Sequence, residues 1–141
     1  ARDCLARMED AMSETINVAV LGLGRIGQQF AAGLSKHIDD GGKPIKIVAV
    51  AERDPDSLAA QMFADEDVTV YTKASDITEH DGRIDIIFDL TGAPEIRQAV
   101  RDKLHETGNH DTIIVPEIFA HFVWSLLEEN VDLSRPHRSG Y

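Results

Sequence analysis

The chain has 141 residues, of which 43% are apolar and 28% charged, with only 5 prolines; this suits one domain with a real core and excludes a disordered or fibrous chain. Basic residues number 14 against 25 acidic ones, and the resulting formal charge of -11 argues against nucleic acid or an anionic membrane surface as a partner. The one cysteine, Cys4, cannot form an internal disulfide, no apolar run approaches the roughly 20 residues of a bilayer crossing, and no basic-then-apolar leader is visible, so cytoplasm is the expected compartment.

Residues 1–12 read as an amino-terminal extension, a short helix with Leu5, Met8 and Met12 on one side, ahead of a natural-looking start at Met12-Ser13-Glu14. One folded domain is expected over residues 13–133 and a polar tail over 134–141. From Ile16 onward short apolar runs alternate with helix-spaced segments, the pattern of repeated βαβ units around a parallel sheet. The fold class expected is therefore α/β, a doubly wound Rossmann-type domain with about five strands, flanking helices and an apolar carboxyl-terminal helix.

Ile16 to Leu21 is the first predicted strand. The helix after it places Ile26, Phe30, Leu34 and Ile38 on one stripe and stops at Gly41-Gly42. Ile45 to Ala51 is the second strand, and Asp54-Pro55-Asp56 caps a second helix with Leu58, Ala59, Met62 and Phe63 facing inward. Val68 to Tyr71 and Asp85 to Leu90 are the third and fourth strands. The fourth is almost continuously apolar, as a strand covered on both faces must be. Ala93-Pro94-Glu95 opens a helix carrying Ile96, Ala99, Val100 and Leu104 toward the sheet, and Gly108-Asn109 closes it ahead of a fifth strand at Thr112 to Val115.

The last helix holds Phe119, Phe122, Val123, Trp124, Leu126 and Leu127 over an arc of roughly 200°, wider than docking on one sheet requires. Either it sinks deep with Trp124 at its edge, or part of the Phe119-Leu127 segment is a homodimer or partner surface.

The chemistry concentrates at Gly22-Leu23-Gly24-Arg25-Ile26-Gly27, a glycine fingerprint that follows a predicted strand and opens a predicted helix. In such a turn Gly22 permits the tight bend, Gly24 admits a pyrophosphate and Gly27 lets helix and strand approach. The helix amino terminus adds N–H donors and about half an elementary positive charge. Glu52 ends the second strand, where a carboxylate accepts from both hydroxyls of an adenosine ribose; this favours NAD, while the adjacent Arg53 keeps NADP open by offering a cation to a 2′-phosphate.

These residues resemble the amino-terminal cofactor domains of the glucose-fructose oxidoreductase family, homoserine dehydrogenase and dihydrodipicolinate reductase. The resemblance runs from about Ile16 to Val115 and rests on residues 18–27, on Ile47 through Pro55, and on Asp89-Leu90-Thr91-Gly92. It implies that Thr91, Gly92 and Ala93 line the nicotinamide end. The Glu-Lys-Pro segment of the glucose-fructose oxidoreductase family is replaced here by Val115-Pro116-Glu117-Ile118, without its lysine, so a catalytic residue is not implied. Thr91 through Glu95 with Phe122-Val123-Trp124 also resembles cofactor modules that precede some bacterial signalling histidine kinases.

Six histidines show no metal-ligand spacing, so no metal is expected. Glu95, Glu117 and His121 fall near the expected ligand-binding edge, where each is either an acid–base group or a cap or surface group, and Ser125 with His121 lacks the third member of a hydrolase triad. Two functions stay open: a stand-alone NAD(P)(H)-binding module, or a minimal oxidoreductase whose substrate pocket a second subunit completes.

Overall fold

The computed structural model describes residues 15–41 and 44–127, so the expected extension, its start signal, Cys4 and the polar tail lie outside the described residues. Five parallel strands form one sheet in the order β3-β2-β1-β4-β5, with β1 at Ile16–Leu21, β2 at Ile45–Ala51, β3 at Thr69–Tyr71, β4 at Ile86–Asp89 and β5 at Ile113–Val115. Helices α1 (Arg25–Gly41), α2 (Leu58–Asp65), α3 (Pro94–Glu106) and α4 (Glu117–Leu127) alternate with the strands. This is the doubly wound α/β arrangement expected of a single Rossmann-type domain, and its strand order reverses between β1 and β4.

Period-two alternation along β1 builds two cores. Val18 and Val20 face one side with Phe30 and Leu34 of α1, Phe63 of α2 and Trp124 of α4. Ala19 and Leu21 face the other with Ile77, Val100 and Leu104. The α1 stripe lies as its spacing requires, with Phe30 and Leu34 buried and Ile26 and Ile38 packed at the margin. Strands β3, β4 and β5 each begin one residue later than their apolar runs suggest, and β4 ends at Asp89 rather than Leu90.

Three features depart from the sequence reading. In α2, Ala59, Ala60 and Phe63 face inward, while Leu58 and Met62 are 74% and 54% exposed. The cap is Ser57, whose Oγ accepts from Ala60 N at 3.2 Å; Asp54 instead makes a turn of its own by accepting from Asp56 N at 3.0 Å. With apolar residues nearly all round so short a helix, periodicity does not choose its face. Between β3 and β4 lies a 3-10 helix, Ala74–Glu79, that no apolar periodicity announces; its main anchor, Ile77, is fully buried against the second face, and Ala74 packs at the margin. Finally, Trp124 is neither at the edge of α4 nor on an exposed face but sits buried beside Phe30, ring centroids 6.4 Å apart. Gly33 of α1 leaves the room: a methyl group there would overlap the indole ring. Facing outward from α4 are Ile118, Phe119, Phe122 and Leu126.

Candidate functional site

The carboxyl ends of β1, β2 and β4 meet where the strand order reverses, the crevice in which open α/β sheets bind ligands. Beyond β1 the chain turns at Gly22, whose φ of +87° an L side chain rarely adopts and whose N–H donates to Ala51 O at 2.8 Å. A Cβ at Gly22 would stand 3.1 Å from both Cα and Cγ2 of Thr91, so the turns after β1 and β4 are in contact. Gly27 is needed for a different reason, since a Cβ there would overlap the Gly22 carbonyl and force α1 off the strand. Around Gly24 there is open space: apart from its chain neighbours, no atom of the described residues lies within 4 Å of where its Cβ would be.

The first bond of α1 runs from Gln28 N to Gly24 O at 2.8 Å, which leaves the N–H groups of Gly24, Arg25, Ile26 and Gly27 without an acceptor among the described residues. No acidic residue occupies the first turn of α1, so the positive end of the helix dipole is not neutralised from within; exposed Arg25 adds to it. Open space beside unspent amides at a positive helix end fits a pyrophosphate.

Glu52 follows β2 and reaches across to this turn. Its Oε1 accepts from Leu23 N at 3.0 Å and its Oε2 from Asp54 N at 3.1 Å, so each carboxylate oxygen keeps lone pairs for further donors. Its own N–H donates to Tyr71 O at 2.8 Å, fixing the strand end from which the side chain projects. Arg53 is exposed and makes no hydrogen bond or ion pair among the described residues. Leu23 and Ile26 play a packing part as well: Leu23 is buried in the first core and Ile26 packs at its margin.

Past β4, Thr91 is half-buried, Gly92 takes φ +70°, and Ala93 is the cap residue of α3. The structure thus gathers the glycine turn, Glu52 and Thr91 through Ala93 along one edge, with Arg53 at its rim. Asp89 was not singled out as a site residue. It is 2% exposed and accepts from Thr91 N at 3.1 Å and Thr91 Oγ1 at 2.6 Å, with Arg97 Nη1 3.4 Å away. The available signal was a charged residue ending an otherwise apolar strand, because a carboxylate is almost never buried without a partner.

Glu117 and His121 are engaged with each other at 3.4 Å, and Ser125 Oγ donates to Phe122 O at 2.7 Å. Among the described residues no three His, Cys, Asp or Glu side chains come together as a metal site requires, and no helix is long and apolar enough to cross a membrane.

Sheet order, glycine turn, open helix end and the carboxylate that follows β2 together define a Rossmann-type dinucleotide-binding domain. The profile of the family described as homoserine dehydrogenase, NAD binding domain, matches residues 22–114, more than half of the chain. The chain belongs to that family, and NAD(H) is the cofactor of such a domain. Among solved structures it is similar to homoserine dehydrogenase from S. aureus, with 18% identity and a TM-score of 0.48 over 74% of this chain and 32% of that one. It is also similar to the WlbA dehydrogenase from Chromobacterium violaceum, a structure in complex with NADH and UDP-GlcNAcA, with 17% identity and a TM-score of 0.46 over 72% of this chain and 35% of that one. The chain therefore spans about a third of the length of these structures. Among curated proteins none matches it.

Proposed function

We propose that this chain is a cofactor-binding or sensing module: it holds NAD(H) across the carboxyl edge of β1, β2 and β4 and presents the nicotinamide to chemistry or to a partner supplied from outside residues 15–127. Gly22 through Gly27 take the pyrophosphate, Glu52 takes the adenosine ribose, and Thr91, Gly92 and Ala93 line the nicotinamide end. The observation that carries the reading is the Glu52 carboxylate bonded to Leu23 N at 3.0 Å, because it sets a ribose acceptor directly beside the phosphate turn.

The same bond bears on cofactor choice. Arg53 could meet a 2′-phosphate only with Glu52 turned away, and both oxygens of Glu52 are held by backbone donors. A phosphate of about −1.5 to −2 charge facing that carboxylate is repelled, so NAD is preferred to NADP. On the nicotinamide side the carboxylate of Asp89 is buried and bonded to Thr91 and Arg97, so it is not free to act as an acid or base, which favours a binding module over a self-sufficient oxidoreductase. The second reading, an oxidoreductase with a pocket completed by another subunit, draws on the exposed apolar flank of α4, where a second copy of the chain would seat. The compartment proposed is the cytoplasm.

Calorimetric titration with NAD, NADH, NADP and NADPH at fixed salt tests the module. Binding of NAD or NADH at least about tenfold tighter than the phosphorylated pair, a difference of about 1.4 kcal/mol, is expected. Absence of any binding overturns the reading, and steady NADH oxidation in the presence of simple keto acids, aldehydes or imines would replace it with the oxidoreductase.

A further inference from the structure

At the end of β4, beside the crevice, a carboxylate is almost wholly buried. Asp89 pairs with Leu21 of β1 in the sheet register, so it stands on the strand pair where the order reverses. Burying a carboxylate costs several kcal/mol unless it is paired and hydrogen-bonded. Here the compensation comes mainly from one residue: Thr91 gives Asp89 both its backbone N–H, at 3.1 Å, and its hydroxyl proton, at 2.6 Å. Thr91 Oγ1 in turn accepts from Ala93 N at 3.1 Å, the cap position of α3. Arg97, one turn into the same helix, closes the circuit from the other side at 3.4 Å.

These bonds fix more than a turn. Thr91 touches the position that Gly22 keeps bare of a side chain, so its place decides how closely the two turns of the crevice approach. They also fix what the turn can offer a ligand. The Thr91 hydroxyl has committed its one proton to Asp89 and one lone pair to Ala93, which leaves it an acceptor only. The N–H groups of Thr91 and Ala93 are committed too, while that of Gly92 has no acceptor among the described residues. One acceptor beside one donor is the complement of a primary amide, the group that distinguishes a nicotinamide from a bare ribose.

We propose that Asp89 is a positioning residue for the nicotinamide half of the cofactor: it never touches the ligand, but it sets the conformation and the hydrogen-bonding polarity of the Thr91–Ala93 turn that does. This rests on the cofactor reading above. Asp89→Asn keeps the size of the side chain and can still accept from Thr91, but it loses the charge and turns an amide donor toward Arg97.

The test compares the affinities of wild type and Asp89→Asn for NADH and for ADP-ribose, which lacks only the nicotinamide, with circular dichroism as the check on folding. NADH is expected to weaken about tenfold and ADP-ribose by less than about twofold. A parallel loss of both, as a merely structural carboxylate would give, or no loss of either, overturns the proposal while leaving the cofactor reading in place. A wild type that binds neither ligand overturns both. Should Asp89→Asn fail to fold, Arg97→Met removes the cation from the same carboxylate at a partly exposed position, and the same selective loss of NADH, about threefold, is expected; equal effects on the two ligands again overturn it.

Discussion

Gly24 and Gly27 lie three residues apart, yet substitutions at them should fail in opposite ways. A Cβ at 24 would stand in open space, whereas one at 27 would overlap the Gly22 carbonyl. Gly24→Val is therefore expected to keep its fold and lose NADH binding, since it fills the space left for phosphate. Gly27→Ala is expected to lose about 1–3 kcal/mol of folding stability, read by urea denaturation. Unchanged NADH affinity in Gly24→Val would remove the phosphate site from this turn. The fingerprint was legible because both requirements, space for a ligand and close packing, select the same residue type at fixed spacing. Asp89 was legible only as a charge ending an apolar strand, because its burial and its bonds to Thr91 and Arg97 follow from how the turn after β4 folds and no fixed spacing marks them.

Tyr71 offers a separate check. Burial pushes its pKa up from the ordinary value, helped by the negative charges of Asp76, Asp81 and Glu79, and its hydroxyl meets His80 Nδ1 at 2.8 Å. A phenol whose folded pKa is raised lends stability that is complete below about pH 10 and is lost as the pH climbs through the folded value. Wild type should therefore lose thermal stability as the pH rises past about 10, and Tyr71→Phe should lose less. Equal losses in both proteins would assign the alkaline limb to other groups.

Helices α1 and α4 meet through Gly33 and Trp124, and this contact answers the question the periodicity of α4 left open. An arc of apolar residues shows that a helix has more greasy surface than one sheet needs, but not which part finds a hole. The hole belongs to another helix. Gly33, on a stripe of α1 where nothing in the local pattern calls for glycine, makes room for the indole. Trp124→Ala should cost about 3–5 kcal/mol, and Gly33→Ala about 1–3 kcal/mol. In the double variant Gly33→Ala with Trp124→Ala the losses should be markedly less than additive, because the smaller side chain relieves the overlap. Additive losses in a thermodynamic cycle would mean that the two residues do not share a contact. The same logic explains α2 and the 3-10 helix: strands and long stripes carry their own periodicity, whereas an eight-residue helix or a single anchor such as Ile77 is placed by what it packs against.

Taken together, the described residues bury a sheet on both faces and still leave one apolar flank outside. Ile118, Phe122 and Leu126 are 71%, 55% and 69% exposed along α4, and Ile113, at 58%, lies on the sheet's outermost strand β5. Ile113 pairs with Ile86, which packs in the first core, so it belongs to the face that α4 covers. A chain with a formal charge of -11 repels its own copies, so self-association through this flank must be driven by apolar contact against an electrostatic penalty. Added salt screens that penalty and strengthens apolar burial, so the apparent mass in sedimentation should rise toward that of a dimer between about 0.05 and 0.5 M salt. Phe122→Glu with Leu126→Glu should hold the mass at that of a monomer throughout without loss of fold, because both side chains already face water. Trp124 is unsuitable for this purpose: a charge there would enter the core and unfold the domain. A wild type that stays monomeric over the whole range would free the flank for a different protein or domain, and with it the oxidoreductase reading would lose its second copy as the source of a completed pocket.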